Sequence, residues 1–160
     1  MIKLAIVGTG GMANAHATAF KNIKDVEIVA VCDVIEDRVR NFAKEYNINQ
    51  TFTSFDEMLE NCELDAISNV TPDSFHKEIA LKSLNKNKHI FSEKPLAENF
   101  PDAEEMYKAT LNTNCINMVN LSYRNSSGWQ SLSKMIHNNE LGPVRHVDAS
   151  YYQSWLTCKY

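Results

Sequence analysis

The sequence predicts an α/β protein built on a doubly wound parallel sheet. Three observations carry the prediction. Apolar, β-rich runs alternate with amphipathic helical patterns along the first 121 residues. Several of those runs are continuously apolar, as strands covered by helices on both faces must be. A glycine-rich turn stands at the first strand–helix junction, where such folds reverse the chain.

The elements follow in order. Residues 2–7 (IKLAIV) read as the first strand, and Ala13, Ala17 and Phe20 then repeat at i, i+4, i+7, the stripe of a helix lying on a sheet. A second strand is expected at 26–32 (VEIVAVC), followed by a helix with Val39, Ala43 and Tyr46 at the same spacing. A short strand near 50–53 precedes Ser54 and Glu57, a capping box ahead of Met58 and Leu59. The fourth strand is 65–70 (DAISNV); Thr71–Pro72 then read as N-cap and N1 of a helix with His76, Ile79, Ala80 and Ser83/Leu84 on one stripe. The fifth strand is 88–92 (KHIFS), Pro101 can open a helix carrying Met106, Tyr107 and Leu111, and the sixth strand is 115–121. Six strands linked by helices imply right-handed crossovers.

After Leu121 the rhythm changes. YRNSSGWQSLSKMIHNNELGPV reads as one helix with Trp129, Leu132 and Ile136 on a face, stopped by Gly142 and Pro143. Residues 144–156 read as another strand without a return partner, which cannot stabilise itself. The expected organisation is a sheet domain over 1–122 and, over 123–160, a bridging helix and the first strand of a second domain that only begins here.

Composition narrows the function. Sixteen basic residues against 20 acidic ones leave a formal charge of −4, unsuited to a general nucleic-acid binder. No apolar run approaches the roughly 20 residues of a membrane span, and the N-terminus lacks a signal-peptide layout, so a cytoplasmic protein is expected. Cys32, Cys62, Cys115 and Cys158 form no CxxC pair or Cys/His ligand cluster, so neither a metal site nor a disulfide is expected.

The turn VGTGGMANA places Gly8, Gly10 and Ala13 in the spacing G-x-G-x-x-G/A, with Thr9, Gly11 and Met12 between them. Gly8 permits the tight turn, Gly10 lets a pyrophosphate approach the backbone, and Ala13 lets the helix sit close on the sheet. Asp33 follows Ala13 by 20 residues at the tip of the second strand, where a carboxylate would bind ribose hydroxyls. A carboxylate there repels a 2′-phosphate and favours NAD; Arg38, in the next helix, leaves NADP open. A methyltransferase also uses a glycine turn and a second-strand acid, but it would not explain the next two motifs.

In an open parallel sheet, ligands gather at the carboxyl ends of the strands. The fourth end carries SNVTPDSFH and the fifth FSEKP. His76 is expected on the inward side of its helix, either facing the cofactor or satisfied by backbone hydrogen bonds. Lys94 can hydrogen-bond a substrate oxygen and stabilise the alkoxide as hydride leaves; Pro95 fixes the backbone beside it, and Glu93 could hold the ammonium's direction. A solvated charge pair is the alternative.

Taken together, GTGGMA, VCD followed by Arg38, NVTPDSFH and SEKPLA resemble the Gfo/Idh/MocA family of NAD(P)-dependent oxidoreductases. The stretch YRNSSGWQSLSKMIHNNELGPVRHV is similar to the family's bridge into its second domain. The resemblance implies a dinucleotide-binding Rossmann domain followed by an α/β domain with an open, mostly antiparallel sheet, through which subunits would associate into a homo-oligomer. It assigns Gly8, Gly10 and Ala13 to the phosphate loop and Asp33 to the ribose. Thr71, Pro72 and His76 fall to the fourth-strand cofactor loop, Glu93–Lys94–Pro95 to the catalytic lysine motif, and Arg124 to the domain junction. The family's second-domain acid and histidine have no counterpart in this chain; His137 and His146 do not match them. The expected activity is hydride transfer between NAD(H) and a hydroxyl carbon of a sugar, polyol or similar cyclic alcohol. The alternatives are an NAD-dependent glycosidase on the same scaffold or a non-catalytic dinucleotide sensor; the retained Lys94 favours chemistry over sensing.

Overall fold

The computed structural model describes residues 1–153. They divide into two compact units, the first Met1–Leu121 and the second starting at Ser122. The first unit contains six strands, β1 (Ile2–Val7), β2 (Val26–Cys32), β3 (Gln50–Phe52), β4 (Ala66–Asn69), β5 (His89–Ser92) and β6 (Asn117–Val119). Between them run five helices, α1 (Gly11–Lys21), α2 (Glu36–Tyr46), α3 (Phe55–Asn61), α4 (His76–Asn85) and α5 (Phe100–Thr110). The sheet order is β3-β2-β1-β4-β5-β6 and every pairing is parallel. This is the doubly wound Rossmann arrangement, with its topological switch point between β1 and β4.

Alternation along β1 explains its continuous apolar run. Ala5 and Val7 face a core that includes Met58, Ile67, Ile79 and Leu84, whereas Ile6 faces a second core with Ala13, Ala17, Val39 and Phe42. One strand thus serves two hydrophobic layers. Burying a side chain such as Ile6 or Met58, both fully enclosed, contributes about 1.5–3 kcal/mol. Of the helical stripes, Ala13, Ala17, Val39 and Ala43 are buried, while Phe20 and Tyr46 at their ends are half-buried.

Strand register brings the motifs together. Phe52 pairs with Cys32, Cys32 with Val7, Val7 with Asn69, Asn69 with Ser92 and Ser92 with Val119. The strands therefore end in one row. The residues immediately beyond that row are Thr53, Asp33, Gly8, Val70, Glu93 and Asn120, so all the strand-end motifs of the sequence emerge along a single edge.

Local departures from expectation have physical causes. Thr71–Pro72 do not open α4. The Asn69 carboxamide oxygen accepts from the Thr71 hydroxyl (2.7 Å) and amide (3.3 Å), holding the loop out of helix. Pro72 caps a 3₁₀ turn, Asp73–Phe75, and α4 begins only at His76. Ser54 does cap α3, its hydroxyl accepting from the Glu57 amide at 3.3 Å. At α5 the cap is Asn99, which accepts from the Asp102 amide, with Pro101 in the first turn; of the expected stripe Met106 is buried but Tyr107 and Leu111 are exposed.

The second unit, taken by itself, begins with a 3₁₀ turn (Ser122–Asn125) and a helix α6 (Ser127–His137), two elements where one long helix was expected. Within this unit Trp129, Leu132 and Ile136 are exposed. Residues 144–153 form no strand, contrary to the expectation for 144–156; the rest of that stretch, and Cys158, lie outside the described residues.

Candidate functional site

The first turn of the sheet domain is shaped around its glycines. Gly8 has φ +91°, and a Cβ there would lie 2.7 Å from the Val70 carbonyl oxygen. The residue must be glycine both for its conformation and for the close approach of β1 to the end of β4. Gly10 and Gly11 differ: a Cβ on either would meet nothing within 4 Å, so their open faces border free space. Gly10 is the N-cap of α1 without a side-chain cap, and Ala13 beneath it is fully buried. Met12 and Gly11 are exposed in the first helical turn. The loop thus presents the N-terminal end of α1, without a side-chain cap, beside a space no side chain fills, which suits an anion.

Thr9 ties this loop to the next strand. Its amide (2.7 Å) and hydroxyl (2.8 Å) both donate to one carboxylate oxygen of Asp33, and the Ile35 amide donates to the other at 3.0 Å. Burial pushes the Asp33 carboxyl up, but the hydrogen bonds from Thr9 and Ile35 and the charge of nearby, exposed Arg38 outweigh it. Asp33 is held below the ordinary carboxylate range. Beside it opens a cleft of about 140 Å³ between the ends of β1, β2 and β4. Its apolar walls include Val34 and Phe75, 85% and 51% exposed, and Pro72 and Thr71 close one side. Cys32 also lines it, but burial pushes that thiol up to about 12, so it offers no thiolate.

His76, at the first position of α4, is 1% exposed. Its Nδ1 lies 2.7 Å from the Pro95 carbonyl oxygen and its Nε2 2.9 Å from that of Thr71. The ring therefore sits between the fourth-strand loop and the fifth, with a backbone carbonyl oxygen against each nitrogen and its N–H donating to one of them. This is the second of the two environments the sequence left open for it.

At the end of β5 the structure corrects one expectation. Glu93 does not hold the Lys94 ammonium. Its Oε1 accepts from His16 Nε2 at 2.8 Å and Asn120 Nδ2 at 2.6 Å, and its Oε2 accepts from the Lys94 backbone amide at 3.2 Å. Burial raises the Glu93 carboxyl, but Asn120, His16 and the Lys94 amide together bring it below its ordinary value, so it is an anion. A carboxylate already satisfied by three donors has no need of a fourth. Lys94 itself is exposed, and among the described residues no carboxylate pairs with its ammonium. The Lys94–Pro95 peptide is cis.

Residues 2–121 match the family described as "Oxidoreductase family, NAD-binding Rossmann fold", the Gfo/Idh/MocA family. The chain belongs to it. Among curated members, glucose-6-phosphate 3-dehydrogenase of Bacillus subtilis is 33% identical, the match covering 94% of this chain and 42% of that protein. An NADP(+) scyllo-inositol 2-dehydrogenase of the same organism is 31% identical over 96% of this chain and 46% of its own length. The structure of scyllo-inositol dehydrogenase from Lactobacillus casei with bound NAD(H) and scyllo-inositol superposes with a TM-score of 0.84 at 26% identity. It covers 89% of this chain and 42% of that one. The chain spans less than half the length of these relatives.

The residues present fit the dinucleotide this Gfo/Idh/MocA member is built for. The unfilled space at Gly10 and Gly11 suits a pyrophosphate, and the ionised Asp33 beside an apolar slot suits a ribose carrying a flat base. Asn69 adds a buried side-chain nitrogen without a hydrogen-bond partner among the described residues, a donor left over at the same edge. Arg124 belongs to the second unit, where its carbonyl accepts from the Gln130 side chain.

Sequence reasoning missed His16, Ser68 and Asn120, and the apolar jaws Val34 and Phe75. His16 left one signal: it stands three residues after Ala13 and next to Ala17, on the buried stripe of α1, where an unpaired imidazole would be costly. Pairing it with Glu93, 77 residues away, needs the fold.

These carboxylates set an acid limit on stability. A carboxyl whose folded pKa is depressed contributes stability that is present above its unfolded pKa, about 3.9 for Asp and 4.3 for Glu, and is lost as pH falls through the folded value. Both Asp33 and Glu93 are depressed, so the melting temperature should be flat from neutral pH to about 5 and fall steeply below about 4. Thermal melts of wild type and Asp33→Asn check this. The variant should melt lower at pH 7 and show a shallower acid slope; an unchanged slope would remove Asp33 from the account.

Proposed function

We propose that this chain forms the dinucleotide-binding half of an NAD(P)-dependent oxidoreductase that moves hydride between a nicotinamide cofactor and a hydroxyl carbon of a sugar or polyol. One observation carries the reading. Lys94 stands exposed at the carboxyl end of β5, one residue beyond the row that holds Gly8 and Asp33, and no carboxylate among the described residues neutralises its charge. When bound, the cofactor supplies the hydride acceptor. The chain's own part is to orient it through the glycine loop and Asp33, and to aim the Lys94 ammonium at the substrate oxygen as negative charge develops there. The named activities of the relatives, on inositols and glucose 6-phosphate, support this substrate class.

In the same proposal the sheet domain ends near residue 122. The 123–160 segment, with Arg124, leads into a second α/β domain with an antiparallel sheet. That domain supplies the substrate wall, the proton acceptor and the surface on which subunits associate. A cytoplasmic setting belongs to the same reading; among the described residues no helix is long and apolar enough to cross a membrane. The test is to follow NADH formation with scyllo-inositol, myo-inositol and glucose 6-phosphate in the protein that carries this second domain; residues 1–160 alone should bind NADH without turnover. In the two-domain protein, tight NADH binding without turnover of any polyol or sugar would sink the oxidoreductase reading in favour of a sensor.

Cofactor choice follows from Asp33. Ionised at physiological pH and placed at the cleft rim, it repels a 2′-phosphate, so NADH should bind at least about tenfold more tightly than NADPH, or about 1.4 kcal/mol. Fluorescence titration of both decides. Tighter NADPH binding would overturn the preference and assign the phosphate to Arg38.

A further inference from the structure

Under the Lys94 segment lies a closed polar chain drawn from four elements. Ser68 in β4 is fully buried, and its Oγ lies 2.8 Å from His16 Nδ1. His16 in α1, 5% exposed, reaches Glu93 through Nε2, and Asn120, just past β6, reaches the same carboxylate oxygen. The other oxygen of Glu93, itself 7% exposed, accepts from the Lys94 amide. One tautomer matches these groups: the Ser68 hydroxyl donates to Nδ1, and Nε2–H donates to Glu93. By connectivity this is a serine–histidine–acid line, but a serine with no exposed surface meets no substrate, which rules out nucleophilic chemistry.

We propose that His16 is a positioning residue for Lys94, holding the lysine through the Glu93 carboxylate; this rests on the oxidoreductase reading above. The geometry supports it in two ways. Among the described residues, Glu93 is the side chain that grips the Lys94 backbone, and its Oε1 takes its donors from His16 and Asn120. His16 also lies five residues, about 7.5 Å, along α1 from Gly11, so the helix that would meet the phosphates also anchors the lysine segment. A displacement of the lysine by about 1 Å is enough to cost on the order of a hundredfold in rate.

The competing account is packing, since the His16 ring also contacts Phe20 and Phe91 at centroid distances of 6.1 and 5.4 Å. Two substitutions separate the accounts in the full chain. His16→Phe keeps an aromatic ring and removes both hydrogen bonds; His16→Gln removes the ring and keeps a donor toward Glu93. Three quantities are read: kcat with NAD⁺ and polyol, the NADH dissociation constant, and the hydrogen-exchange rate of the Lys94 amide. With His16→Phe, kcat should fall by roughly tenfold or more and the Lys94 amide should exchange about tenfold faster, while NADH affinity stays within about threefold. His16→Gln should stay within about threefold of wild type on all three. If His16→Phe does not fold, Glu93→Gln, which presents an amide where an acceptor is needed, should reproduce the kcat and exchange changes. The proposal is overturned if His16→Phe (or Glu93→Gln in its place) leaves kcat and Lys94 exchange unchanged, or if His16→Gln loses as much as His16→Phe. Should the wild-type protein turn over no polyol, the oxidoreductase reading fails by itself, and the Lys94 exchange rates still decide whether His16 positions that residue.

Discussion

Lys94→Ala should lower kcat by about a hundredfold or more while NADH affinity stays within about threefold. A preorganised donor aimed at a developing oxyanion is worth about 2.7–4 kcal/mol, because its effect is larger in the transition state than in the ground state. Two features of the structure separate this effect from folding. The Lys94 side chain is exposed, so its loss leaves no cavity. The grip on the segment comes from the Lys94 backbone amide to Glu93, which alanine retains. Steady-state kinetics with a polyol substrate, together with NADH titration, check the pair of outcomes. Turnover surviving within a factor of about three would make Lys94 a solvated surface charge.

Gly8→Ala should cost about 3 kcal/mol or more of stability and take dinucleotide binding with it. A left-handed backbone costs an L-residue roughly 1–2 kcal/mol even in its preferred well, and φ +91° lies outside that well. The new methyl would also press on the Val70 carbonyl at 2.7 Å, and Val70 cannot retreat easily because its amide is bonded to Val7 at 2.7 Å. For a chain of this size the melting temperature should drop by about 10 °C. Gly10→Ala is the informative contrast. Gly10 has φ −73°, which any residue adopts, and its Cβ would touch nothing, so the free protein should melt normally. The same methyl would stand in the space that suits a pyrophosphate and should weaken NADH binding at least about tenfold. Normal NADH affinity in Gly10→Ala would remove the phosphate site from this loop.

Features decided by neighbouring backbone are legible in the residues themselves. Continuous apolar runs mark strands covered on both faces, and β1 and β2 occur at the expected residues because composition and period are local properties. The tight turn at Gly8, the close-packed Ala13 and the carboxylate at the end of β2 follow from spacing along one strand–helix–strand unit. The start of α4 departs from expectation because two local preferences compete there. Thr71–Pro72 is a good helix opening, but the Asn69 side chain captures Thr71 first. The role of Glu93 departs for a different reason. Its adjacency to Lys94 suggests an ion pair, yet its side-chain partners, His16 and Asn120, lie 77 and 27 residues away. Periodicity and spacing along the chain are enough to establish the layered fold, the order of the motifs and their arrival at strand ends. Which side chains meet beneath those motifs is settled by packing alone. Strand register brings α1, β4, β5 and β6 together at one edge, and a buried carboxylate must take its donors from whatever that register places within reach.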